Sequence, residues 1–313
     1  MRAAILASGA PSRAIAQKWV ASDAYRAMVA ALTAASSQGH DAVADAAGTL
    51  LSDYQWVDSL LGPLIAGLAG DPFFDPPFRV SRDRLRISAI LFDSPVATLT
   101  GTVVDAAALA ALPPTRTVVV PGRIGVTRYI RSGGVHIRRW RADPLTGQFS
   151  ASNAARALIQ PELAPCDGAV VRIDGRVEGQ LLAGAQSDVV TLGFTVRTDA
   201  DPLMREYRIA DGHLSTIASS DDGASRTEML LSFLTQANRS DAGPCFEAAS
   251  RDAAFHTRWS AMHAWLCVDA HAALPRLNEM ARDDPHPDVR QAALQTVARI
   301  RPPETAGATP CRA

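Results

Sequence analysis

The spacing of apolar residues changes twice along the chain, and each change marks a different kind of element. Over residues 1–70, Ala14, Ile15 and Trp19, then Met28, Val29 and Leu32, recur at intervals that fit the stripe of an amphipathic helix. Gly39 and Gly48 interrupt the pattern, and Asp53 is placed to cap a helix carrying Trp56, Val57, Leu60, Leu61 and Leu64. Pro72, Pro76 and Pro77 exclude a helix across 71–78, since each lacks a backbone donor and biases its predecessor to extended geometry. That segment predicts an extended linker whose phenylalanines pack down onto the next domain.

From about residue 79 to 218 the period falls to two. Leu85, Ile87, Ala89 and Leu91 alternate with Arg86, Ser88 and Ile90. Further strand patterns lie at 98–104, 115–120, 126–132, 135–141, 168–174, 179–183, 188–197 and 204–209. Many short strands without long helical patterns between them predict an antiparallel sheet arrangement rather than a parallel α/β one.

Helical spacing returns near 220. Ser225 and Glu228 have the separation of a capping box and predict a helix starting at Ser225. Further helices are expected over about 251–268, over 270–282, and from Pro287 to Ile300. The expected class is α+β. A β-sandwich or barrel over 71–218 is flanked by a helical region at 1–70 and another at 219–303, with a disordered tail at 304–313.

Two resemblances refine this. Asp284-Pro285 and Asp288-Val289-Arg290, followed by Ala292-Ala293-Leu294, resemble a HEAT repeat over roughly 256–300. A solenoid needs about three such units to stand alone, so this one is expected to act as a cap that offers a helix to a protein partner. The β region resembles a cupin, on its close-set strands, on Gly133-Gly134-Val135-His136, and on the strand-turn-strand at 165–176. Metal-binding cupins carry two histidines one residue apart, then a glutamate. Here His136 is followed two residues on by Arg138, and no histidine lies between His136 and His213. The resemblance therefore implies a barrel that has lost its metal, with no cofactor.

Composition narrows the function classes. The chain has 313 residues, 47% hydrophobic and 20% charged, with a formal net charge of -1. Such a balance supplies no field for nucleic acid or an acidic membrane, and neither is expected as a partner. Lys18 is the only lysine, a bias that fits GC-rich coding, so any anion site must use arginine or backbone amides. Cys166, Cys245, Cys267 and Cys311 are scattered and fit reduced thiols. The N-terminus lacks a signal-peptide core, and the longest apolar stretch in the N-terminal region, about 60–69, is too short for a bilayer. The expected location is cytoplasmic.

Residues 123–141 concentrate the candidate chemistry. On a strand His136, Arg138 and Trp140 share one face, and Ile137, Arg139 and Arg141 the other. An arginine inside a barrel is costly unless paired or meeting an anion, and guanidinium recognises carboxylate or phosphate bidentately. Arg128, His136, Arg138 and Trp140 are the expected ligand-binding residues, for a small anionic or aromatic molecule or a peptide. The alternative is a solvent face whose arginines pair with nearby acids. His256, His263, Cys267 and His271 fit helix packing better than a metal site, because His256 and His263 stand two turns apart. Asp221-Asp222-Gly223 reads as a turn and cap.

No GxGxxG, GxxxxGK[ST], GxSxG, HExxH or EF-hand pattern occurs. The expectation is a non-enzymatic or accessory binding protein. An enzyme of the cupin type would instead use His136 with a second group such as His213 or Glu206, and a purely structural protein would have an aliphatic interior.

Overall fold

The computed structural model describes residues 2–76, 78–146, 149–220 and 222–300. The opening helices are α1 (Arg2–Val20), α2 (Asp23–Ser36), α3 (His40–Ser52) and α4 (Tyr54–Gly70). Asp53 caps α4 as its position predicts, its carboxylate accepting from the Gln55 and Trp56 amides at 2.9 and 3.2 Å. Beyond α4, Phe74 is buried and Phe78 partly so, in the same core as the helices, whereas Phe73 stays exposed.

Next in the chain come the strands: β1 (Arg79–Arg82), β2 (Arg86–Asp93), β3 (Ala97–Val104), then, after the short helix α5 (Ala106–Ala110), β4 (Thr117–Val120), β5 (Ile124–Arg131) and β6 (His136–Arg141). After them lie β7 (Leu158–Leu163), β8 (Val170–Asp174), β9 (Glu178–Ala183), β10 (Val189–Val196), β11 (Leu203–Arg208) and β12 (Leu214–Ser219). They build a six-stranded sheet in the order β1-β2-β3-β10-β5-β8 and two three-stranded sheets, β12-β11-β4 and β7-β6-β9. The registered pairings of these sheets are antiparallel, as the period-two pattern predicts.

The sheets do not close into a barrel, and local chemistry accounts for the open edges. At β8 the edge residue Arg172 turns to α3, where it pairs with Asp41 and Asp45, so a helix rather than a strand covers that side. At β7 Pro161 removes a ladder donor. The chain passes from β5 in the large sheet to β6 in the β7-β6-β9 sheet through a turn at Gly133 and Gly134, with φ of 60° and 70°. A Cβ at Gly133 would collide with the Ser187 carbonyl oxygen, so this pair of glycines serves a turn and a close approach.

Helices and sheets divide into two compact units. One comprises the described residues of 1–144 and 155–216, and the other those of 145–154 and from 217 onward. The second unit contains α6 (Asp222–Gln236), α7 (Gly243–Ala249), α8 (Phe255–Val268), α9 (Ala270–Asp283) and α10 (Pro287–Ile300). Here α6 begins three residues before the Ser225 start that the capping-box spacing predicts, and the Glu228 carboxylate accepts from Ser260 on α8 at 3.3 Å instead of from a cap. The core holds Phe246, Met262, Leu277, Met280 and Ala293. Buried beside it, Arg258 pairs in bidentate fashion with Asp284 at 2.7 and 2.9 Å, and Asp284 also accepts from the His286 amide. No described helix is long and apolar enough to cross a membrane. The tail at 304–313, Cys311 and Asp221 lie outside the described residues.

Candidate functional site

The two faces of the six-stranded sheet differ in chemistry. On one face Ala97 and Leu99 of β3, Leu192, Phe194 and Val196 of β10, and Ile124 and Val126 of β5 are buried in a common core with α1–α4. Two indoles lock those helices together, Trp19 donating to the Leu60 carbonyl at 2.7 Å and Trp56 to that of Ala24 at 2.9 Å.

The alternate positions form the other face. Register places Thr102 opposite Thr191 and Thr98 opposite Thr195, with Thr127 opposite Gly193 and Gly125 opposite Thr195. Ser88 on β2 stands opposite Thr102, their hydroxyls 3.1 Å apart. Most of these threonines are half-buried. A Cβ built at Gly125 meets no heavy atom within 4 Å, so the sheet borders open space there. At the β5–β6 end the same face turns apolar: Tyr129, Val104 and Val189 cluster with Ile137 of β6, and Leu182 of β9 packs beside them. Burial pushes the Tyr129 phenol up to about 12.

Ile137 therefore identifies which face of β6 meets the sheet. Its companions by alternation are Arg139 and Arg141, which share Glu178 of β9: Arg139 Nη2 donates to Oε2 at 2.7 Å and Arg141 Nη1 to Oε1 at 3.3 Å. Glu178 is buried, Arg139 is mostly so, and the Arg141 side chain is 55% exposed.

The residues singled out from sequence do not converge. Arg128 stands opposite Leu192, on the helix-covered face, where its guanidinium donates to the Leu51 carbonyl at 2.6 Å and lies over the Tyr54 ring. His136 and Arg138 are exposed on the opposite face of β6 from Ile137. Arg138 lies over Trp140, 5.1 Å from the ring centroid, with Glu162 3.7 Å away. Trp140 is buried among Val118, Val120 and Tyr207, so its ring offers no pocket wall. The strands that periodicity predicts are present, and β1, β7 and β12 are added to them. On β6 the face carrying His136 and Arg138 is the exposed one, with Arg138 beside Glu162, and Ile137 marks the inner face. Sequence carries a usable signal for this: Ile137 is the aliphatic member of one alternation set, and aliphatic residues mark the buried side.

Of the histidines and cysteine on the second unit's helices, His256 borders a cleft that Trp259 also lines, and Cys267 is exposed. Among the described residues no three His, Cys, Asp or Glu side chains come together as a metal site would require. Glu206 lies on β11 and His136 on β6, in different sheets.

No family model matches the chain, and no curated protein matches it. Partial overlaps with solved structures occur. One is ectoine synthase from P. lautus, at 11% identity over 38% of this chain and 68% of that one, with a TM-score of 0.24. Another is the capsular polysaccharide assembling protein CapF from Staphylococcus aureus, at 12% identity over 53% and 40%, with a TM-score of 0.27. A third is a sugar phosphate isomerase from a cupin superfamily from Silicibacter pomeroyi, at 9% identity over 46% and 87%, with a TM-score of 0.21. The chain spans less than half the length of CapF. At such TM-scores these overlaps decide nothing about the chain, whose fold rests on its own strand pairing.

Proposed function

We propose that the first unit is an open, cupin-like β-sandwich that binds a small hydroxylated anion, such as a sugar acid or sugar phosphate, on the threonine face of its large sheet. The observation that supports this reading is the contrast between positions one residue apart. Leu192, Phe194 and Val196 are sealed under helices, while Thr191, Gly193 and Thr195 face the other way with room above Gly125. Half-buried hydroxyls on an inner sheet face fit a wet hollow, since a filled sandwich places apolar groups there. Arg141 supplies the charge: one carboxylate serves two guanidinium groups, so a second anion completes the balance.

The test is a thermal-shift titration with gluconate and glucose 6-phosphate against uncharged glucose. Binding of the anions alone is expected, with loss in Arg141→Gln and no change in Arg138→Gln, whose side chain points away. Anion binding that survives Arg141→Gln but fails in Arg138→Gln sinks this site and restores the one on the outer face of β6. The enzymatic alternative keeps His136 as an acid-base group or as one ligand of an atypical metal. Stoichiometric iron, zinc or manganese in protein purified without chelators is the result that favours it. A protein contact through the C-terminal helices, including their HEAT-like pair, is also part of the proposal; its support is the exposed apolar face of Met229, Leu230 and Phe233 on α6.

A further inference from the structure

The second unit contains a cleft of about 590 Å³, in the span of ~300–1,000 Å³ that small-molecule sites occupy. It opens between the end of β12, α6, α8 and α10. One wall is aromatic, formed by Phe255 and Trp259, and Phe255 is held rigid by stacking on the His286 ring with centroids 3.7 Å apart. Opposing groups are acidic or neutral polar: Glu228, Asp288, Gln291 and Gln295. Neither Arg nor Lys is among the described lining residues, although arginine is frequent elsewhere on this chain.

The two carboxylates are positioned differently. Asp288 is engaged by the turn at 150–151, accepting from the Ser150 hydroxyl at 2.6 Å and the Ala151 amide at 3.1 Å. Those donors are neutral, and Asp288 also sits in the first turn of α10, whose N-terminal amides offset part of its charge. Glu228 meets the Ser260 hydroxyl at 3.3 Å, a long contact, and among the described residues no cation pairs with it. Glu228, with no cationic partner among the described residues, and Asp288 beside it face an indole and attract a cation with an apolar body: the carboxylates supply charge, and the ring quadrupole favours ammonium or guanidinium over its face. An anion is repelled by both carboxylates and meets no Arg or Lys among the described lining residues. A neutral apolar ligand desolvates Glu228, whose one hydrogen bond is long, without offering it a counter-charge, which costs free energy.

We propose that this cleft binds an alkyl guanidinium or alkyl ammonium group, with Glu228 as the charge partner and Trp259 as the stacking face. The group comes either from a free amine or from an Arg or Lys side chain of a protein. This proposal is independent of the threonine face and of the anion site in the first unit.

The test uses the full chain with a 15N-labelled indole, titrated with agmatine and with an acetylated, amidated Gly-Arg-Gly peptide. 4-Guanidinobutyrate, which adds a carboxylate, is the control. Both cations are expected to shift the Trp259 indole signal, assigned through Trp259→Phe, and the control is expected to bind about tenfold more weakly. The tighter cation identifies the source, free amine or peptide. Glu228→Gln should weaken binding about tenfold with an unchanged melting temperature. Gln295→Lys, at an exposed position, should abolish binding by filling the cleft with its own ammonium. Equal binding of the control, or full affinity in both variants, overturns the proposal, as does the absence of any Trp259 shift.

Discussion

The large sheet has one backbone and two faces. The helix-covered face is hydrocarbon along β3 and β10, with arginine only toward β5 and β8, where Arg128 and Arg172 reach the helices: Leu99, Leu192, Phe194 and Val196 are each about 1% exposed or less, with Ala97 beside them. The opposite face carries a hydroxyl or a glycine at nearly every corresponding position along β3, β5 and β10. Alternation assigns each residue to its face, so the two sets could not be exchanged by any small slip without reversing both surfaces. The lesson is that stability and recognition are carried by interleaved residues of the same strands. The first set excludes water, and the second is left able to bond with it.

The strongest way to break this contrast is to damage the covered face. Phe194→Ala removes a ring stacked near Trp56 at 6.5 Å and opens a cavity in the core. The expected loss is about 3–5 kcal/mol, read by chemical denaturation. A loss under about 1 kcal/mol would mean that the helices do not seal that face. Glu178→Ala comes next. It strips the shared partner from Arg139 and Arg141 and leaves a mostly buried guanidinium unpaired, with an expected cost of about 3 kcal/mol. Charge burial weighs more here than the modest worth of an exposed pair, because Glu178 itself is only 9% exposed.

A reciprocal exchange sharpens the comparison. Val196→Thr places a hydroxyl on the covered face with no partner at hand and should cost about 1–3 kcal/mol. Thr191→Val, on the other face, should stay within about 1 kcal/mol of the parent while weakening anion binding. Equal costs for the two swaps, measured in the same denaturant series, would erase the distinction between the faces.

Much of this sheet was legible in the sequence, and its limits are physical. Strands such as β3, β5 and β10 announce themselves because one face is dry and the alternation is strong. The edge strands β1 and β7 do not: all four β1 residues are exposed, and β7 carries Leu158 and Ile159 outward at 64% and 72% exposure with Pro161 in its middle. The inner face of β6 was ambiguous because both alternation sets contain arginine and one contains a large aromatic. Trp140 does bury, but into a separate cluster with Val118 and Tyr207. The cleft beside Trp259 was invisible for another reason, since Glu228, Trp259 and Asp288 come from three helices whose packing no local period encodes.

The smallest expected effect tests how far the wet region extends. Tyr129 belongs to the hydroxyl-bearing face yet is 3% exposed among Val104, Val189 and Ile137. Burial holds its phenol at about 12 against an ordinary 10.0, so the folded state favours the neutral form. A group with a raised pKa contributes stability that is complete below the unfolded value, here near pH 10, and lost as pH rises toward the folded one, here near 12. At pH 10.5 the loss should be about 0.8 kcal/mol. Tyr25 and Tyr207 are also shifted upward by burial, so the informative quantity is the difference between the parent and Tyr129→Phe across pH 9–10.5. A shallower alkaline slope in Tyr129→Phe places dry packing at the β5–β6 end and confines the hollow to the threonines beyond it. Parallel slopes would put water against the phenol, and the hollow would then run the full length of the face.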